Sequence, residues 1–454
     1  MSKRPGGRSR QRELFPLSRK PAIAVDPEHP LVRITELLDW DELLDKVEEI
    51  RAARVKSRAG RPPHLRALLG AVILRATKKM TFRDAEDQVR YYAPARYLCG
   101  LSESDWTPDH DTIHEFTQSL GEDGIKVINE YVVKLAVVKK LADPSVAVGD
   151  ITVQEAAIPY PNEMRLMAGF LSAVTGCAAR GGRVLQQLIA HLAPAIAAGK
   201  AKIRGYHLFA QTKELKDQMM WQVTRMVEKI REGVRQALEQ PLPAPRNGHI
   251  AAARGRLARV SDTMDKLLPQ IRHWLKTGFV AKNKIISLQI PEAHAVVRGK
   301  VGKKVEFGFK WGFTRLGGGY LLAKRGHQKL DIEDKRFVVD AVDDLKELFG
   351  RAPRDYAYDR GGYGVEALKR LKERGVRNVA VAPVGKHPWA VSERVRRRMV
   401  KERAAIEAGI GSVKCARYGF NKPTARSARM MGVAGQLGVL GFNLTKLARE
   451  LAAA

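Results

Sequence analysis

Three acidic residues have surroundings that suit metal-dependent phosphodiester chemistry: Asp150, Asp359 and Glu407. Carboxylate oxygens are the protein ligands that Mg²⁺ prefers, and the ion keeps its other positions for water or substrate phosphates. Two such ions about 3.5–4 Å apart can activate an attacking oxygen and stabilise a leaving one. A site of this kind needs several carboxylates that converge at one edge of a rigid sheet.

Both aspartates belong to predicted strands. Asp150 lies in SVAVGDITV, where Val146 and Val148 share its side of the two-residue alternation. Asp359 ends RDYAYD and precedes Arg-Gly-Gly, where glycine lets the backbone approach a ligand closely. A single aspartate of this kind is more often a strand-end cap or a turn residue. Two of them, on the first and fourth strands of one predicted sheet, favour a site, with Asp355 as the second choice for the role of Asp359.

Glu407 lies in a predicted helix. At about 100° per residue, Arg403, Glu407 and Lys414 fall within about 40° of one another and form one polar stripe. A solvated face with salt bridges is the alternative interpretation of such a stripe. Gly409 and Gly411 favour a site instead, because each costs roughly 1 kcal/mol in a helix interior unless DNA or another backbone must come close. The opposite stripe is apolar and would pack on the sheet, with Ile406, Ile410 and Val413.

The charge of the chain points to a polyanionic partner. Eighty Lys and Arg residues against 49 Asp and Glu leave a formal net charge of +31 in 454 residues. Nucleic acid is the leading candidate, because each phosphate contact releases condensed counterions. Ribosomal and membrane-surface proteins share such a charge. No apolar run is long enough to span a bilayer, and the three scattered cysteines suit a reducing cytoplasm.

The pattern along the chain predicts three parts. Residues 1–25 form a basic mobile tail, and 26–143 form an all-helical domain, either for DNA binding or for packing alone. Residues 144–454 form an α/β domain with a helical insertion at about 162–285. Outside the insertion the order is strand, strand, strand, helix, strand, helix, strand, helix, which predicts a mixed sheet covered by helices.

At these residues the chain resembles the DDE transposases of bacterial insertion sequences, in the broad group related to insertion sequence five. The resemblance extends from about residue 60 to 445. Three blocks carry it in the family's order: DITVQEAAIPYPNE (150–163), YDRGGYG (358–364) and the Arg403, Glu407, Lys414 spacing. Weaker similarity lies in GRPPH (60–64), PDHDTIHEF (108–116) and IISLQIPEAHAVVRGKVGKKVEFGFK (285–310).

The resemblance implies an RNase H-like catalytic domain, preceded by the helical DNA-binding domain. It further implies that Asp150, Asp359 and Glu407 hold two Mg²⁺ ions, for which Mn²⁺ can substitute. Arg403 and Lys414 would hold DNA phosphates, and the chain would act as a homodimer on paired DNA ends in a bacterial cytoplasm. The sequence departs from the family pattern at Val400, where the signature around the glutamate usually begins with tyrosine, and in the position of its insertion.

Other cations near the predicted site are expected to contact DNA phosphates: Arg360, Arg396, Arg397 and Arg398. The alternative for the run RVRRRMVKER (394–403) is a solvated charged face. Trp389 fits either packing or stacking on an unpaired base.

Three other functions compete with transposition. An RNase H-fold nuclease would share the metal site without strand transfer. A catalytically silent DNA-binding protein derived from a transposase would keep the cations and lose the acids. A basic RNA- or ribosome-binding protein would have neither converging carboxylates nor the ordered motifs.

Overall fold

The computed structural model describes most of the chain and divides it into two compact units. The described residues are 25–54, 63–102, 104, 106–241, 248–300, 303–326, 332–385 and 387–453. Unit 1 comprises residues up to Asp143 together with 416–418 and 436–454, and unit 2 comprises 144–415 and 419–435. The predicted basic tail 1–25 lies, except for its last residue, outside the described residues.

The described residues form helices and strands in the following order along the chain. The helices are α1 (Pro30–Leu37), α2 (Trp40–Ala52), α3 (Leu65–Thr77), α4 (Phe82–Tyr91), α5 (Ala93–Leu98), α6 (His110–Val138), α7 (Glu163–Arg180), α8 (Gly182–Leu188), α9 (Ala193–Phe209), α10 (Lys213–Glu239), α11 (Gly248–Thr277), α12 (Asp334–Phe349), α13 (Val365–Glu373), α14 (Glu393–Val413) and α15 (Ala428–Ala452). The strands are β1 (Asp143–Glu155), β2 (His294–Lys300), β3 (Lys303–Gly317), β4 (Leu321–Arg325), β5 (Asp355–Tyr358) and β6 (Asn378–Val381).

Unit 1 is helical in its described part, and α3 is its central element. Ten of the thirteen residues of α3 are buried, so this helix is apolar on nearly all sides and packs against α4, α5 and α6. Side chains cap the surrounding helices. Thr81 and Asp84 form a reciprocal capping box at α4, and Asp109 accepts from the Thr112 N–H at 2.7 Å to begin α6.

The end of the chain belongs to unit 1. The second half of α15 packs so closely on α3 that a Cβ on Gly441 would overlap the carbonyl oxygen of Ala76. Nearby, the buried Asn443 donates to the buried Asn129 of α6 at 2.7 Å. The helix therefore joins this core through close backbone packing and a satisfied polar pair.

Unit 2 is built on a mixed sheet with the order β2-β3-β1-β5-β6, and β4 also pairs with β3. Strand β1 is parallel to β5, and β5 is parallel to β6. Strands β2, β3 and β4 pair antiparallel to one another. Helix α12 packs on β3, and α14 packs on β3, β5 and β6. The predicted mixed α/β class is thus confirmed.

Most predicted strands and the hairpin at glycines 317–319 are present, with one addition. Strand β2 was not predicted, so Asp359 follows the fifth strand rather than the fourth. Its pattern is weak because Val297, an apolar residue in mid-strand, is 78% exposed.

The segment between β1 and β2 is helical, from Glu163 to Thr277 in its described part. Helices α7, α9, α10 and α11 pack on one another around an apolar core of their own. Phe170, Val227 and Leu267 are fully buried in that core. The segment therefore has its own hydrophobic core and does not rely on the sheet to bury its apolar side chains.

Two glycine substitutions should separate close packing from helix propensity. Gly441→Ala forces a methyl group onto the Ala76 carbonyl, and we expect it to lower the free energy of unfolding by roughly 1–3 kcal/mol. Gly411→Ala in α14 meets no atom within 4 Å and should instead raise it by up to about 1 kcal/mol. Urea denaturation measures both changes. A neutral or stabilising Gly441→Ala would contradict the close approach.

Candidate active site

Asp150 and Asp359 lie at the same level on neighbouring strands. The parallel register pairs Val146 with Asp355 and Val148 with Ala357, and each aspartate comes two residues later. Adjacent strands are about 4.8 Å apart, and residues two apart share a face. The aspartates therefore lie side by side on one face, at the point where β5 ends and β1 continues to Glu155.

This face of the sheet is the one that α14 covers. Asp355 shares the face of Asp359 and accepts from Arg398 of α14 at 2.6 Å. The alternating residue Tyr358 points to the other face, where its hydroxyl donates to Asp334 of α12 at 3.0 Å. Both predicted aspartates therefore lie on the same side of the sheet as the helix that carries Glu407.

Helix α14 is held against the sheet along one flank. Arg398 contacts Asp355, Glu402 accepts from Arg315 of β3, and Gly409 packs over Leu321 of β4. At about 100° per residue these three positions lie within about 40° of one another. The predicted apolar stripe is buried between this flank and the other, through Ile406, Ile410 and Val413.

The other flank of α14 carries Arg403, Glu407 and Lys414. Glu407 follows Arg398 by nine residues, which turns it about 180° away from the Arg398–Asp355 contact. Asp355 lies at the beginning of β5, so Glu407 faces the direction in which β5 ends at Tyr358. Glu407 is exposed, whereas Asp150 and Asp359 are half-buried.

The three predicted ligands are brought together only in part. Asp150 and Asp359 are neighbours, and Glu407 lies on the facing flank of the covering helix. Within the part of the chain that the structure describes, no group of three or more His, Cys, Asp or Glu side chains could hold a metal ion. The carboxylate donors of the aspartate pair are of the type that Mg²⁺ requires, and Glu407 would have to move towards them to complete the set.

Tyrosines buried beneath the aspartates indicate a strong negative potential. Burial first, and then the charges of Asp344 and Asp150, raise the pKa of Tyr356. Burial and the charge of Asp334 likewise raise the pKa of Tyr358. These rings pack under Gly149, where a Cβ would come within 2.7 Å of the Tyr358 ring. Glycine at this position therefore allows the tyrosines to support the strand that carries Asp150.

Asp334 is an acidic neighbour that the sequence interpretation missed. The Gly361 N–H donates to Asp359 at 2.8 Å, and a Cβ on Gly361 would lie 2.8 Å from the carboxyl carbon of Asp334. Asp334 and Asp359 therefore flank the same glycine. An aspartate in the first turn of a helix is ordinarily read as favourable to the helix dipole, so the sequence carried no separate signal for this position.

The predicted DNA-contacting cations differ in how far the protein itself engages them. Arg396 and Arg397 both pair with Glu393 at 3.0 Å, and Arg398 pairs with the buried Asp355. Arg360 and Arg403 make no ion pair with the described residues. Lys414 is half-buried at the end of α14. The cations flanking Glu407 are therefore better placed for a phosphate than those at the start of the helix.

Aromatic side chains lie beside the same edge. Tyr363, four residues after Asp359, stacks on His387 with ring centres 5.9 Å apart. Trp389 is half-buried, and the guanidinium of Arg396 lies 5.4 Å from the centre of its ring. The contact with Arg396 uses part of the Trp389 surface, while the role of Trp389 in base stacking stays a prediction.

Asp355, the second choice for the role of Asp359, instead anchors the fold. Burial alone raises the pKa of this fully buried carboxyl, but hydrogen bonds from Asn378 and Arg354 and the charge of Arg398 outweigh burial. The pKa of Asp355 is therefore below its usual value. Its oxygens are occupied by these three partners at the beginning of β5.

Removing this charge should destabilise unit 2 in a pH-dependent manner. Asp355→Asn leaves two half-exposed arginines without their carboxylate, and we expect a loss of about 2–3 kcal/mol at pH 7. A lowered pKa contributes stability above the unfolded value near about 3.9, and that contribution disappears as the pH falls through the folded value.

Urea denaturation at pH 7 and at successively lower pH tests this expectation. The difference between wild type and Asp355→Asn should shrink below about pH 4, where the unfolded carboxyl becomes protonated. Glu366→Gln, at an exposed position of α13, is the control and should change stability by less than about 0.5 kcal/mol. A difference that stays constant with pH would contradict the anchoring role.

Fold and site together define a mixed α/β protein in which a pair of carboxylates on one sheet face lies beneath a basic helix. This arrangement is suited to divalent metal and phosphodiester substrates. Residues 21–119, about a fifth of the chain, match the family model described as Transposase domain (DUF772). No curated protein and no solved structure matches the chain significantly.

One further property of the described residues concerns membranes. None of their helices combines the length and apolar character that a membrane crossing requires.

Proposed function

We propose that the chain is a DDE transposase of the group related to insertion sequence five, which cuts and joins DNA at the ends of an insertion sequence. The observation that carries this proposal is the alignment of Asp150 and Asp359 on one face of two parallel strands. The transposase-domain match of residues 21–119 supports the same activity independently of the acids. The net charge of +31 supports double-stranded DNA as the partner.

The strand arrangement supports an RNase H-like catalytic domain. Its first strand β1 lies at the centre, with the antiparallel strands on one side and the parallel strands β5 and β6 on the other. Helices follow β4, β5 and β6 in turn. In this interpretation the helical segment between β1 and β2 is the insertion, and unit 1 recognises the ends of the element.

The carboxylates Asp150, Asp359 and Glu407 would hold two Mg²⁺ ions, or Mn²⁺ in their place. Bound ions of this kind activate an attacking oxygen and stabilise a leaving one. Asp150 and Asp359 supply ligands whose positions are fixed by the sheet. Glu407 supplies the third carboxylate from the exposed flank of α14, and Arg403 and Lys414 on that flank hold phosphates beside the scissile bond.

The reaction has two steps, in which these residues position the DNA. In the first, water attacks a phosphodiester at the end of the element, the P–O3′ bond breaks, and a 3′-hydroxyl is released. In the second, that hydroxyl attacks a target phosphodiester, a new P–O3′ bond forms, and a target 3′-hydroxyl leaves. Two copies of the chain would hold the paired ends together, in the cytoplasm of a bacterial host.

Neutral replacements of the acids should abolish both steps while leaving DNA binding intact. We expect Asp150→Asn, Asp359→Asn and Glu407→Gln each to lower the rate of Mg²⁺-dependent nicking by at least roughly a hundredfold to a thousandfold. The substrate is DNA that spans the ends of the element encoding the chain, and nicked and joined products are separated on a denaturing gel.

Glu402→Gln is the matched control, because Glu402 lies on the same helix but on the flank that pairs with Arg315. It should keep nearly wild-type activity. Equal activity of Glu407→Gln and wild type would remove Glu407 from the site. Nicking without joined products would favour the nuclease, and inactivity of the wild type with DNA binding retained would favour a silent DNA-binding protein.

The cations on the Glu407 flank should contribute to DNA affinity and to its salt dependence. Arg403→Ala and Lys414→Ala should each weaken DNA binding and reduce the slope of log affinity against log salt by about 0.9, the value for one phosphate contact. Lys401→Ala, an exposed residue of α14 that lies away from this flank, should leave the slope unchanged. Fluorescence anisotropy across a salt series measures the slopes, and identical slopes for all three variants would contradict the assignment.

A further inference from the structure

Unit 1 contains a cavity that the proposed catalytic chemistry does not use. Its volume is about 680 Å³, within the usual range for small-ligand sites. All of its walls belong to unit 1: α1, the end of α3, part of α4, residue 417 and the last turns of α15. A pocket of this size is large enough for a ligand with several functional groups.

The cavity is lined by cations and by no carboxylate. Arg33, Lys78, Arg417 and Arg449 all contribute to its walls, whereas none of its described lining residues is Asp or Glu. Arg33 pairs with Glu28, a mostly exposed residue outside the lining. Lys78 and Arg449 are exposed and make no ion pair with the described residues. A concave surface lined by one sign of charge concentrates the field and attracts an anion.

Much of the remaining wall is apolar or aromatic. Leu31, Ile34, Leu74 and Ala448 are buried side chains that line it. Tyr92 adds an aromatic ring that is 40% exposed. A small inorganic anion would leave this wall wet, whereas a ligand that joins a phosphate to a planar group would cover both kinds of surface.

The tyrosine is held in position by a histidine. His29 Nδ1 accepts from the Leu31 N–H at 3.2 Å, so in the neutral ring the proton is on Nε2. Nε2 then donates to the Tyr92 hydroxyl at 2.9 Å. Because this oxygen has a partner and the ring is fixed, Tyr92 offers an ordered surface on which a base can stack.

We propose that this cavity binds one nucleotide, with its phosphate held by Lys78, Arg417 and Arg449 and its base against Tyr92 and the apolar wall. The ligand is either a free nucleotide or one unpaired nucleotide of DNA. The second source rests on the proposed function, because a protein that acts at DNA ends meets unpaired nucleotides there. The site itself requires none of the three predicted metal ligands.

Binding of the full-length chain in EDTA tests the site without cleavage. The probes are a duplex with a single unpaired terminal nucleotide and the same duplex fully paired. We expect the wild type to prefer the first. Lys78→Glu and Arg449→Glu should each lower affinity for that probe about tenfold, whereas Lys134→Glu, an exposed residue of α6 outside the cavity, should change it little.

Filling the cavity gives a second, charge-independent test. Ala452 lines the cavity at the exposed end of α15, and its exposed neighbour Ala453 does not. Ala452→Trp should abolish the preference for the unpaired nucleotide, and Ala453→Trp should retain it. Thermal unfolding like that of wild type verifies that each variant is folded. A preference that survives Ala452→Trp and both charge reversals would overturn the proposal.

Competition with deoxyadenosine monophosphate and with inorganic phosphate separates the sources. Competition by the nucleotide alone supports a site open to free nucleotides. A flap preference that resists the nucleotide supports the DNA source. Equal competition by phosphate, together with equal binding of both duplexes, would reduce the cavity to a phosphate contact and overturn the nucleotide. Because EDTA removes the metal, an inactive triad would not affect any of these results.

Discussion

The parallel pairing of β1 with β5 is the constraint on which the candidate active site depends. Its register puts Asp150 beside Asp359, and the two-residue alternation puts both on the face that α14 covers. A slip of one residue would turn one aspartate towards α12 and bring a tyrosine to the α14 side. Gly149 and the bulky Tyr356 and Tyr358 oppose such a slip, because the rings fill the space that a side chain at position 149 would need.

The same strand also sets the rotation of the helix that carries Glu407. Asp355 is buried and anchors Arg398, so one side of α14 is tied to the beginning of β5. Nine residues later the helix has turned about 180°, and Glu407 faces the end of that strand. Two carboxylates with the same alternation on β5 thus do different things. Asp355 meets three partners and fixes the helix, while Asp359 lies where the strand ends and where a ligand has access.

The sequence was sufficient for the strands around the aspartates, because alternation and glycine punctuation are local signals. It was insufficient wherever the answer depended on a partner distant in sequence. Asp355 and Asp359 share a pattern and differ only through Arg398. Strand β2 lacks buried apolar alternation, and α15 carries apolar residues that do not specify which core they join. Gly441 and Asn443 decide that question through α3 and α6, over 300 residues away.

Charge alone identifies a polyanion-binding protein but does not identify an enzyme. Much of the basic run in α14 is consumed internally, since Arg396, Arg397 and Arg398 all pair with carboxylates. Cations available to a ligand remain in both units, around Glu407 in one and around the cavity in the other. A chain that had lost its catalytic acids would keep nearly all of these cations and would still bind DNA. The distinction between an active transposase and a silent relative therefore rests on the carboxylates of Asp150, Asp359 and Glu407 and on whether Glu407 reaches the aspartate pair.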